Sequence, residues 1–141
     1  MLTSLLRNRC SLAAVAFTLA ACNPQTSTVP AEQGVTLFHA RLDAGKFTEI
    51  YTNATPEFQK TTTPKDLEAL LSAVHRKLGT SSPGTKQTWH VNFGTAGTIV
   101  TLTYKTKFSE GMADEKFVFR LENDSASLMG YNVNSPIFVL K

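Results

Sequence analysis

Near residue 80 the hydrophobic period of this chain changes from that of a helix to that of a strand. Before it, PKDLEALLSAVHRKL over residues 64–78 sets Leu67, Leu70, Leu71, Val74 and Leu78 on one face at 3.6-residue spacing. After it, from Lys86 onward, apolar side chains recur at every second position. A chain that is helical first and alternating afterwards does not supply strand–helix–strand units for a parallel sheet. It predicts an α+β fold, with N-terminal helices packed on a curved four-stranded antiparallel sheet.

Local signals agree with the helical half. Thr63 can cap residues 64–78, Pro64 suits the first helical position, and Asp66 sits in the positive first turn. Arg76 and Lys77 meet the negative end, and Gly79 follows the last turn. Upstream, Val35, Phe38 and Leu42 predict a helix over residues 31–44 that ends at Gly45. Phe47, Ile50 and Tyr51 begin a second, shorter one at an angle to it.

In the second half, Trp89, Val91 and Phe93 form one inward set. Val100, Leu102, Tyr104 and Phe108 form the next, and Phe117, Phe119 and Leu121 a third. Gly111-Met112 as a two-residue type II′ loop pairs Phe108 with Glu115, Tyr104 with Phe119 and Leu102 with Leu121, keeping both apolar sets on one face. A three-residue loop over residues 124–126 leads to a fourth strand near residues 128–133, with Met129, Tyr131 and Val133 inward. Residues 137–140 read as an edge strand or a bent continuation of it.

The N-terminus is an address. Arg7 and Arg9 precede a mostly apolar run over residues 11–21, far short of the about 20 apolar residues that span a bilayer. The run ends at LAACNPQ, which resembles the bacterial lipobox. That resemblance implies cleavage between Ala21 and Cys22, diacylglycerol on the Cys22 thiol and acylation of its new amine. Asn23, where an aspartate would retain the protein at the inner membrane, implies the periplasmic face of an outer membrane. Two or three acyl chains hold such a protein firmly. The division is therefore a signal peptide over residues 1–21, a lipidated cysteine and tether over 22–30, and one periplasmic domain over 31–141.

Two consequences follow. Cys10 leaves with the signal and Cys22 is modified, so the domain has no disulfide and rests on its core. Loss of Arg7 and Arg9 leaves 12 basic against 11 acidic residues, which gives no support to a nucleic-acid partner.

The stretches FHARLDAGKFTEIYTNATPEFQK, VTLTYKTKFSEGMADEKFVF and LMGYNVNSP look like those of a family of small bacterial lipoproteins. The resemblance covers nearly the whole domain and implies a cystatin-like or NTF2-like cone. It brings no catalytic residues to carry over.

Site motifs are sparse. His39, His75 and His90 fall on different elements without metal-ligand spacing, read as surface or boundary residues, and call for no metal or cofactor. Trp89, Phe93, Tyr104, Phe119 and Tyr131 share the inward face, either as closed core or as the wall of a ligand pocket. Lys107 opposite Lys116, with Lys105 and Arg120 nearby, makes the outer face either a solvated surface or an anion site for lipid or an envelope protein. Proton-transfer chemistry inside the cone would draw on Glu115 with Tyr104 or Tyr131, although Glu115 is expected near a solvent-exposed hairpin end. The reading that follows is non-catalytic: binding or scaffolding in the envelope, with an enzyme as the alternative.

Overall fold

A computed structural model describes residues 28–140. The residues read as a signal peptide, with Ala21, Cys22, Asn23 and most of the expected tether, lie outside the described residues. The first helix, α1, spans Val29–Asp43 and so starts two residues before the expected Ala31. Pro30 lies in the first turn, where its missing N–H costs no hydrogen bond. Helix α2 (Phe47–Thr52) is as expected, and α3 (Pro56–Thr61) is an addition that the short PEFQKT run does not announce by periodicity. The Thr55 hydroxyl caps α3 by accepting from the Phe58 amide. Helix α4 spans Pro64–Leu78 and is capped by Thr63 as its sequence requires, although Leu70 is exposed.

Strands β1 (Thr85–Gly94), β2 (Gly97–Phe108), β3 (Gly111–Glu122) and β4 (Ser125–Asn134) form one antiparallel meander in sequential order. Four expectations about it change. In the central hairpin Phe108 pairs with Gly111, Tyr104 with Glu115 and Leu102 with Phe117, so the loop is Ser109-Glu110. The Ser109 and Glu110 amides donate to the Thr80 and Leu78 carbonyls, which ties this loop to the end of α4. Gly111 serves packing, because a Cβ there would meet Ile137 Cγ1 at 2.8 Å. Alternation fixes only the parity of a register, so a shift that keeps parity leaves the apolar faces matched. The last hairpin turns through Asn123 and Asp124, both at positive φ (48° and 62°), as a two-residue loop of type I′ requires. A bulge then pairs Phe119 with Leu128 after Val118 with Gly130, so Leu128 faces the core and Met129 is the extra residue. Ile137–Leu140 form a short helix, α5, beyond Pro136.

Helix α1 lies across β2, β3 and β4, while α4 packs against α2, α1 and α5. The close approach of α1 depends on Gly34, where a Cβ would sit 2.9 Å from Phe119 Cε1. Val35, Phe38, Leu42, Leu71, Val74, Val100, Leu102 and Phe117 fill the core between the layers. No described helix is long and apolar enough to cross a membrane.

Candidate functional site

The inner face of the sheet carries two polar residues in the middle of its apolar ladder. Thr106 on β2 and Glu115 on β3 both hold inward parity, and both are fully buried. Glu115 lies in mid-sheet because of the observed register, away from the solvent-exposed position expected for it. Above it on α1, His39 stands four residues after Val35 on the buried stripe of the helix.

These groups form one network. His39 Nε2 lies 2.8 Å from Glu115 Oε2, to which the Thr106 hydroxyl donates at 2.6 Å. The Tyr131 hydroxyl donates to Glu115 Oε1 at 2.7 Å. A carboxylate is an acceptor only, so the set is satisfied when His39 donates through Nε2, leaving Nδ1 as the nitrogen with a lone pair. The walls are aromatic: the His39 ring meets Phe117 and Phe108 edge-on, with centroids 5.7 and 6.1 Å away. Burial first, then the charge and hydrogen-bonding of Glu115, push the Tyr131 phenol well above its ordinary value, which keeps it a donor.

A cleft of about 370 Å³ opens over this network between α1 and the Ser81–Gly84 segment. His39, Tyr104, Glu32 and Ser81 line it. It is clasped at both ends. Asp43 accepts from the Ser81 amide and hydroxyl at the C-terminal end of α1, and Glu32 pairs with Lys86 at 2.6 Å towards its N-terminal end. The Tyr104 hydroxyl makes no hydrogen bond among the described residues. Burial, then the charge of Glu32, push its phenol up to about 12. Glu32 itself is opposed by partial burial but held below its ordinary value by hydrogen bonds from Lys86 and Thr28 and by the ammonium charge.

The structure does not gather the five expected pocket aromatics around one cavity. Phe119 is core and Tyr131 belongs to the Glu115 network, so of the five only Tyr104 lines the cleft. Trp89 and Phe93 face inward by register, opposite Leu102 and Thr98, yet they are 54% and 73% exposed because β1 extends past the helices. The outer-face charges are also rearranged by the register. Lys107 stands opposite Met112, and Lys116 lies between Thr103 and Asn132. Lys105 pairs with Asp114 at 3.4 Å and Arg120 with Glu57 at 3.0 Å. No two of these cations oppose each other across the sheet. His75 is half-buried and His90 is exposed.

The chain matches no family model and no curated protein. Among solved structures it is similar to a candidate dehydratase of the NTF2-like family from Streptomyces avermitilis. The TM-score is 0.52 at 14% identity, over 79% of this chain and 96% of that one. It is similar also to Aln2 from a Streptomyces species, with a TM-score of 0.51 at 14% identity, over 84% of this chain and 96% of that one. The fold is NTF2-like. At such identity the likeness carries the architecture and no residue roles. His39 is the member of the Glu115 network that reaches the cleft.

Proposed function

We propose that this protein is a non-catalytic binding domain of the cell envelope. A small polar molecule occupies the cleft over His39, and lipid on Cys22 holds the domain at the periplasmic face of the outer membrane. The observation that carries the binding reading is the cleft itself. Its volume lies in the range of small-molecule sites, and it brings a free phenol, a carboxylate, hydroxyls and an imidazole to one opening. Glu115 fits a positioning role, since three donors occupy its carboxylate. The test is a thermal-shift screen of polar envelope metabolites against the wild type and Tyr104→Trp, which fills the cleft. Compounds are expected to raise Tm of the wild type alone; stabilisation that survives Tyr104→Trp would place the ligand elsewhere.

The lipobox supports the location. Replacing Cys22 with serine is expected to leave the chain without lipid and with its leader uncut before residue 22. Continued membrane association together with unchanged cleavage would refute it.

One observation favours the enzymatic alternative: Glu115 orients an imidazole whose second nitrogen is available at the base of the cleft. Under that reading His39 removes a proton from a bound substrate, as a dehydration or isomerisation needs, and Glu115 steadies the imidazolium. Solvent deuterium incorporation into a screened ligand, lost in His39→Gln while binding persists, would establish it over the binding reading.

A further inference from the structure

The β1 edge of the cone presents an apolar face that the helices leave uncovered. Trp89, Val91 and Phe93 stand in register with Leu102, Val100 and Thr98 on the inner face of the sheet; Val91 packs against the core, and Trp89 and Phe93 on either side of it stand clear of the helical layer. Two large aromatic side chains more than half exposed on one strand form a patch of the kind that marks a contact surface.

The start of the domain lies beside this patch. The Thr28 hydroxyl and Lys86 Nζ both donate to Glu32 Oε1, at 2.8 and 2.6 Å, and the same Lys86 nitrogen sits 5.3 Å from the centre of the Trp89 ring. Helix α1 thus begins within a short chain of contacts from Trp89. Its N-terminal half lies over Phe119 and Ala126, near the end of the sheet where the β1–β2 turn carries Phe93. Five residues separate Cys22 from Thr28, and the six steps between the two reach about 20 Å when fully extended. Lipid on Cys22 therefore keeps this end of the cone within a protein radius of the bilayer. The residues between, Asn23-Pro24-Gln25-Thr26-Ser27, are polar or small and supply no large apolar side chain to cover the patch.

From this placement we infer that Trp89 and Phe93 dock on the membrane that holds the lipid anchor, with their rings at the headgroup boundary where aromatic side chains partition. The contact is apolar. Glu122 and Asp124 flank the neighbouring turn, so attraction to anionic lipid is not its source and added salt leaves it intact. Docking turns a tethered domain into an oriented one, with the sheet edge towards the bilayer and the cleft held at a fixed distance from it. The inference rests on the anchor proposed at Cys22.

Trp89 is the only tryptophan, so its fluorescence reports this edge alone. The mature lipoprotein is purified from membranes and reconstituted into phosphatidylethanolamine–phosphatidylglycerol vesicles with brominated acyl chains. Vesicle flotation reads the anchor and Trp89 quenching reads the docking. Wild type is expected to float and to lose most of its Trp89 emission at any salt concentration. Phe93→Asp is expected to float and melt like wild type but to stay fluorescent. A protein that floats with Trp89 unquenched refutes the docking alone. A blue-shifted but unquenched Trp89 assigns the face to a second copy and refutes it equally, as does quenching that survives Phe93→Asp. A protein that fails to float refutes the anchor, and the docking falls with it.

Discussion

Strands β1 and β3 carry the same alternation of aromatic and polar residues and meet opposite fates. In β3, Phe117 and Phe119 lie under α1 and are fully buried, with Phe38 against Phe117 at 5.2 Å. In β1, Trp89 and Phe93 hold the same parity on the same face of the same sheet and stand in the open. Alternation decides which side of a sheet a residue takes; whether that side is covered depends on where the helices lie. Gly34 lets α1 come down over Phe119 and Ala126, whereas its contact with β1 is at Lys86, through Glu32, and leaves Trp89 and Phe93 exposed.

The comparison can be broken most directly by truncating one phenylalanine from each strand. Phe117→Ala is expected to cost about 3–5 kcal/mol in chemical denaturation, through lost burial and the cavity left behind. Phe93→Ala is expected to stay within about 0.5 kcal/mol of wild type. Equal costs would mean that β1 is covered in solution.

Next in size is the polar centre beneath α1. Glu115→Ala leaves His39, Thr106 and Tyr131 without their acceptor and is expected to destabilise by about 3 kcal/mol. Urea denaturation measures this, and a cost under about 1 kcal/mol would show that water replaces the carboxylate.

The pH limits sharpen the same contrast. Tyr104 and Tyr131 titrate higher folded than unfolded, so the unfolded chain gives up their protons first. Their stabilisation is complete below about pH 10 and declines above it, for Tyr104 up to about 12. Denaturation midpoints should fall over that interval, and Tyr104→Phe should flatten part of the decline. A midpoint curve unchanged by the substitution would separate Tyr104 from it.

The smallest effect belongs to the clasp beside Trp89. Glu32 titrates lower when folded, so its pairing with Lys86 stabilises above about pH 4.5 and is lost as pH falls below it. Lys86→Met is expected to cost about 0.2–1 kcal/mol at neutral pH, with less loss in acid. A cost that does not shrink in acid would assign it to the packing of Lys86 on Trp89.

Much of the candidate site was within reach of the sequence. Thr106 and Glu115 hold inward parity by counting along their strands, and His39 lies four residues from Val35 on an apolar helical face. Those are three polar residues on buried stripes, and their coincidence is the signal that reading each one separately misses. Their convergence was not legible, because it depends on a parity-preserving register. The type II′ reading placed Glu115 opposite Phe108, near a hairpin end, whereas the observed register seats it opposite Tyr104 under His39. The pairing of Lys107 with Lys116 rested on the same register and is lost with it.

The order of helices and sheet, the span and capping of α4, the antiparallel meander and the inward parity of β1, β2 and β3 are legible in the sequence. These depend on period and on local capping chemistry, which act within a few residues. Tertiary structure alone decided the central register, the Leu128 bulge, the helical end of the chain, the burial of Glu115 and the exposure of Trp89 and Phe93. Each of these turns on which distant surface packs against which: Ile137 against Gly111, α4 against the Ser109-Glu110 loop, and α1 over β2–β4 but short of Trp89 and Phe93.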